Sequence, residues 1–146
     1  MRGLIGAAAA ALVVAMVPSA ALALPTTPER LAGGDRYGTS AAVTASLYSS
    51  AGTVFIASGT NYPDALAGAP AAAAGDGPLL LASTTLADSV RAQVDRLNPT
   101  RIVMLGGTES VSDAVPASLA KDGRAVDRVA GTDRYETAAA IARTSF

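Results

Sequence analysis

The sequence contains no cysteine and no histidine. Disulfides, thiolate zinc sites, lipid attachment to cysteine and every Cys- or His-based nucleophile–base pair are therefore excluded. Tryptophan is also absent, and aromatics are only 4% of the 146 residues. A core must then be filled with alanine, valine and leucine, and alanine-rich helices can lie close to whatever they cover. Charge is scarce and nearly balanced, with 11 basic and 12 acidic residues giving −1. The net basic field that DNA or RNA binding requires is missing. Ser–Lys chemistry and carboxylate-only metal sites survive as catalytic options, though Lys121 is the single lysine.

Long apolar runs are confined to the N-terminus. Arg2 provides a short positive region, and Leu4 to Val17 is an apolar and small-residue run of 14 residues, short for a membrane span. Pro18 breaks it, and Ala21-Leu22-Ala23 supplies an A-x-A pattern, so residues 1–23 are expected to be a signal peptide cleaved after Ala23, with Ala21 as the alternative. An uncleaved membrane anchor is the competing interpretation. Without Arg2 the mature chain carries 10 basic against 12 acidic residues, or −2, and no membrane partner is expected after cleavage. Residues 24–29 form a linker; Leu24-Pro25-Thr26-Thr27-Pro28 has Pro28 where a sortase motif needs glycine.

What the chain does contain is a copy of itself. Arg30-Leu31-Ala32-Gly33-Gly34-Asp35-Arg36-Tyr37-Gly38-Thr39 returns as Arg128-Val129-Ala130-Gly131-Thr132-Asp133-Arg134-Tyr135-Glu136-Thr137, an offset of 98 residues. A period that long is a small domain rather than a solenoid turn. One complete repeat (30–127) is expected, followed by the start of a second (128–146) whose first helix has no sheet of its own to cover. Gly33 and Gly131 permit a turn. Asp133 is an N-cap, and Glu136 three residues on completes a capping box at the start of an alanine-rich helix. Gly38 replaces that Glu in the first copy, where the cap should be weaker.

Between the motif copies, apolar runs alternate with helical patterns. Thr53–Ala57, Leu79–Ala82 and Arg101–Leu105 are expected strands. A helix is expected from Pro63 to Ala74, kinked at Pro70 and ended by Gly75-Asp76-Gly77-Pro78. Ser83-Thr84-Thr85 should cap a second, which aligns Leu86, Val90, Val94 and Leu97 on one face. Ser112 or Asp113 should cap a third running to Ala120, with Pro116 tolerated in its first turn. Strands apolar on both faces and separated by helices predict an α/β fold, a small three-layer arrangement with a mostly parallel sheet and helices on both faces. Right-handed crossovers should gather the loops starting at Ser58, Ser83 and Gly106 at one sheet edge, where ligands of open α/β sheets bind.

These motifs resemble a known family. Arg-x-x-Gly-x-Asp-Arg-Tyr-x-Thr at Arg30 to Thr39 and Arg128 to Thr137 is similar to the signature of the type 2 cell wall binding repeat. Asn61-Tyr62-Pro63-Asp64-Ala65-Leu66, Pro78-Leu79-Leu80-Leu81 and Val103-Met104-Leu105-Gly106-Gly107 resemble its remaining motifs, in order and at the right spacing, over Arg30 to Phe146. Leu79 stands where the family often has isoleucine. The resemblance implies a Toprim-like fold, a secreted bacterial surface protein, and non-covalent binding of an anionic cell wall polymer. It also implies neighbouring repeats of the same type, packed about a pseudo-threefold axis, or a homo-oligomer in their stead.

Candidate ligand-binding residues follow from the loops and the repeated arginines. Gly106, Gly107 and Thr108 could cradle a phosphate on backbone amides, or simply form a tight turn. Asn61 and Asp64 could meet a ligand at the sheet edge or cap the helix at Pro63. Arg30, Arg36, Arg128 and Arg134 suit an acidic polymer, since guanidinium grips phosphate and carboxylate bidentately, or else pair with the neighbouring aspartates. Tyr37 and Tyr135 are expected to pack on the sheet rather than stack on sugars. No cofactor and no catalytic residue are implied; a divalent cation bridging acid to acid is the one auxiliary the acidic balance suggests. Two other functions remain open: a structural self-association module, and a metal-dependent hydrolase of envelope phosphoesters using Asp64 and Glu109.

Overall fold

A computed structural model describes residues 29–120 and 123–146. The expected leader, its cleavage site and all of the linker but Glu29 lie outside the described residues, as does Lys121. The element order is α1 (Arg36–Leu47), β1 (Thr53–Ser58), α2 (Pro63–Ala74), β2 (Leu79–Ala82), α3 (Asp88–Leu97), β3 (Arg101–Leu105), α4 (Ala114–Leu119), β4 (Ala125–Val129) and α5 (Arg134–Ser145). The strands form one sheet in the order β2-β1-β3-β4, and every pairing is parallel.

Alternation along the strands divides the core into two layers. Val54, Ile56, Leu80, Ala82, Ile102 and Met104 face Val90, Val94 and Leu97 of α3 and Val115 and Leu119 of α4. Phe55, Ala57, Val103 and Leu105 face Ala71 and Ala72 of α2 and Ile141 of α5. Ile56, Leu80, Ile102 and Met104 are wholly buried, each worth about 1.5–3 kcal/mol in removed apolar surface. The second layer is thin because its helix is small-sided. Gly68 of α2 is so close to β3 that a Cβ there would stand 2.1 Å from a Leu105 methyl.

Several local expectations need correction. Ser83-Thr84-Thr85 closes a turn, Ser83 Oγ donating to the Thr85 carbonyl at 3.1 Å, and α3 begins only at Asp88, whose carboxylate sits in the first turn of the helix. Asp113 occupies the N-cap of α4 but makes no capping bond; its carboxylate is taken by Arg128 at 3.0 Å. Helix α2 spans Pro63–Ala74 as expected, with Pro70 inside it. Gly33 and Gly131 are required by contact rather than by turn conformation: a Cβ would come within 2.2 Å of the Gly38 carbonyl carbon and 2.3 Å of the Glu136 Cβ.

The largest correction concerns the second motif copy. Its strand, β4, extends the first sheet beside β3, and its helix, α5, buries Thr137 and Ile141 on the layer it shares with α2. The helix expected to have no sheet of its own thus packs on this one. Residues Arg30 to Ala32 of the first copy form no strand.

Candidate functional site

The strand order determines where a cleft can open. From β1 the chain crosses over to β2 on one side, then returns past β1 to β3 on the other. The loops leaving β1 and β3 therefore depart in opposite senses and leave a gap between them, the switch point at which open α/β sheets bind ligands. A cleft of about 310 Å³ lies there.

Three walls enclose it. The first is Asn61 to Asp64, where the loop after β1 enters α2. The second is Gly107 to Ser110, the loop after β3. The third is Gly131 to Arg134 with Thr137, the turn from β4 into α5. The third wall belongs to the repeated motif, and its rigidity comes from the motif's own bonds. Asp133 Oδ1 accepts from the Tyr135 and Glu136 N–H groups, both at 2.8 Å, and Thr137 Oγ1 accepts from Gly131 N–H at 3.0 Å. Glu136 reaches one residue behind the N-cap, accepting from the Thr132 hydroxyl at 2.6 Å and its N–H at 2.9 Å. Those two bonds, the hydroxyl first, hold the Glu136 carboxyl below the usual carboxylate range.

Asp64 is the unusual group. It is only 6% exposed and accepts no hydrogen bond from any described residue. Yet among the described residues no sealed side-chain oxygen or nitrogen lacks a partner. Its oxygens must therefore open onto the cleft it lines. Gly106 makes room for it: the backbone there has φ +100, and a Cβ would come 2.2 Å from Asp64 Oδ2. The N–H groups of Gly107, Thr108 and Glu109 also meet no acceptor among the described residues. One cleft is thus lined by an unengaged buried carboxylate, three residues whose backbone N–H groups are unengaged, and the exposed Arg134. It can accept from hydroxyl or amine groups and donate to anionic or carbonyl oxygens. Among the described residues no cluster of three or more acidic side chains could hold a metal ion.

The expected site residues divide accordingly. Asn61, Asp64, Gly107, Thr108 and Arg134 line the cleft, and Gly106 lies behind Asp64. Arg128 supports the cleft from outside, donating to the Gly106 carbonyl at 2.8 Å and pairing with Asp113. Arg36 donates to the Gly59 carbonyl at 2.6 Å, away from the cleft, and Arg30 is exposed and not among its lining residues. The loop at Ser83 is not part of the cleft either; Thr84 instead accepts from Ser112 Oγ at 2.7 Å. Sequence reasoning missed the contribution of Gly131, Thr132, Asp133 and Thr137. Counting the strand of the second motif copy into the first sheet would have found them, since its following loop then falls on the same rim.

Residues 30–116 match the family described as Cell wall binding domain 2 (CWB2). The chain is similar to N-acetylmuramoyl-L-alanine amidase LytC of Bacillus subtilis (strain 168), at 33% identity over 116 residues, which are 79% of this chain and 23% of that protein. It is also similar to the Amidase enhancer of the same organism, at 32% identity over 79% of this chain and 16% of that protein. The chain therefore spans less than a quarter of the length of these curated relatives. Among solved structures, Cwp6 from Clostridium difficile superposes with a TM-score of 0.71 at 30% identity, covering 78% of this chain and 18% of that one. Cwp8 from the same organism gives 0.73 at 30% identity, covering 77% and 20%.

Proposed function

The chain belongs to the Cell wall binding domain 2 family, and from that membership we propose that it is a non-catalytic module holding a secreted bacterial protein on the cell wall by gripping an anionic wall polymer in the cleft at Asp64. The observation that carries this assignment is the Asp64 carboxylate, buried yet unengaged, in one cleft with the free N–H groups of Gly107 to Glu109 and the Arg134 side chain. A glycopolymer unit offers both partners. Its sugar hydroxyls donate to Asp64, and its phosphate or carboxylate oxygens accept from the arginine and the backbone amides.

The cleft carries Asp64, Glu109 and Asp133 against the one arginine, so a polyanion is not drawn in from a distance. The grip is short-range, made by hydrogen bonds in a partly desolvated cleft. Binding should therefore depend only weakly on salt, unlike a basic patch that works by long-range attraction.

Sedimentation of the purified chain with isolated bacterial walls tests the proposal. The chain should co-sediment with intact walls and not with walls stripped of their anionic polymers, and chelator should leave retention unchanged. Asp64→Ala and Arg134→Ala should each weaken retention roughly tenfold, the scale of one lost charged hydrogen bond. Equal retention on stripped walls, or indifference to both substitutions, would overturn it; retention abolished by chelator would transfer the contact to a bridging divalent cation.

A further inference from the structure

The cleft at Asp64 carries more negative charge than an anionic ligand alone can answer. Asp64, Glu109 and Asp133 line it beside Arg134, three carboxylates to one guanidinium. None of these four groups belongs to either ion pair formed among the described residues, Arg101–Asp127 and Arg128–Asp113. Arg128, which supports the cleft from outside, is committed to the Gly106 carbonyl and to Asp113. Glu109 and Asp133 are exposed, so water and salt screen them. Asp64 is 6% exposed, and its unengaged oxygens open onto the cleft.

The chemistry of the missing partner follows by comparison. A phosphate or carboxylate satisfies Arg134 and the N–H groups of Gly107 to Glu109, but it adds another negative charge to the cleft that Asp64 lines. A sugar hydroxyl donates to Asp64 and leaves its charge uncompensated. A metal ion needs several oxygens, and among the described residues no three acidic groups are placed to hold one. A primary ammonium brings a positive charge and three N–H donors, and one buried carboxylate suffices to orient it. We propose that the unit recognised here is zwitterionic: a protonated amine carried beside the phosphate or carboxylate of the wall polymer. The amine donates to Asp64, with Glu109 and Asp133 at the rim favouring its charge. The anionic group accepts from Arg134 and the backbone amides. Such a unit is neutral as a whole, which removes the repulsion a plain polyanion meets at a cleft with surplus acid. The module thereby reads the amine substitution of the polymer. An amino acid esterified to the polymer and an amino sugar within it both supply this chemistry.

Amine recognition presupposes that the cleft holds the wall polymer, so the test alters the polymer's amines and keeps the wall. Co-sedimentation of the chain is measured on untreated walls, on N-acetylated walls, and on walls treated with mild base. Mild base releases ester-linked amino acids and leaves amino sugars intact. Acetylation should weaken retention roughly tenfold, the scale of one lost charged hydrogen bond. Mild base should do the same for an esterified amino acid and nothing for an amino sugar. Acetylation also makes the whole wall more negative, so Asp64→Asn, close in shape to the parent, locates the effect. It should weaken retention roughly tenfold on untreated walls and change little on acetylated ones, where the partner of the lost charge is already gone. Arg134→Ala should weaken retention equally on both. The comparison of walls uses the unaltered chain and stands even where Asp64→Asn is unstable. Equal retention on untreated and acetylated walls would overturn amine recognition and leave the cleft a site for anion and hydroxyl. Losses from acetylation and from Asp64→Asn that multiply independently would overturn it as well. A chain that fails to sediment with untreated walls would instead overturn the wall-binding assignment, and the amine with it.

Discussion

Gly106 joins two requirements at one residue. Its φ of +100 is a conformation that other residues adopt only under strain, and its missing side chain leaves the space that Asp64 Oδ2 occupies. Gly106→Ala should therefore destabilise the chain by about 1–3 kcal/mol from backbone strain alone, measured as the denaturant midpoint, and should weaken wall retention by pushing Asp64 aside. A stable Gly106→Ala protein that binds walls normally would remove Asp64 from the site. Glu136 gives a prediction in pH. Its folded pKa lies below its unfolded value because Thr132 donates two hydrogen bonds to the charged form, so its contribution is present above the ordinary carboxylate range and lost as pH falls through the folded value. Glu136→Gln should thus be less stable than the parent at pH 7, and the gap should close in acid; a gap independent of pH would refute the assignment. The sequence made the Asp133 cap and its acidic partner legible. It could not reveal that Glu136 would reach past Asp133 to Thr132. That depends on Gly131 folding flat against the first turn, where a Cβ would meet Glu136 at 2.3 Å.

At the scale of elements, the strands were legible because burial on both faces leaves an apolar run with few alternatives, and β2 and β3 begin and end where the residues said they should. The helix faces were not. Small residues (Ala, Gly, Ser, Thr) make up most of α1, α2 and α5, so hydrophobic periodicity barely separates inside from outside, and tertiary contact decides which stripe is buried. The start of α3 was misjudged for a different reason: Ser83 and Thr85 satisfy one another in a turn, as short polar side chains do when they compete with helix. The close approach of α2 to β3 supplies a test of how alanine and glycine set that layer. Gly68→Val should cost about 1–3 kcal/mol through overpacking against Leu105. Leu105→Ala, made together with it, should cost less than the sum of the two single changes, because the space one adds the other removes. Strict additivity in a double-mutant cycle would mean that the two side chains do not compete for the same volume.

For the whole molecule, what matters is that the cleft draws its walls from three segments far apart in the chain. Two of them, at Asn61 to Asp64 and Gly107 to Ser110, were legible as post-strand loops; the third was not, because the second motif copy read as the beginning of another unit and not as the edge of this one. The edge is more exposed than the centre of the sheet. Strand β4 is only half-buried, the exposed Arg101–Asp127 pair beside it adds at most about 1 kcal/mol, and α5 is anchored through Ile141 and Thr137. Ile141→Ala should therefore cost about 2–5 kcal/mol as a buried truncation. Its counterpart on the first motif copy, Val43→Ala, lies on an open face and should change stability by no more than about 0.5 kcal/mol. The two variants also separate folding from function. Loss of Ile141 loosens β4 and α5 together and takes Gly131 to Arg134 away from the other two walls, so wall retention should fall at temperatures where the rest of the sheet is still folded. Hydrogen exchange would then show α5 and β4 opening before β1 and β3. If Ile141→Ala instead unfolds every strand at once, the second motif copy is as integral to the unit as its centre. If it keeps full wall retention with α5 exchanging freely, the third wall takes no part in holding the polymer.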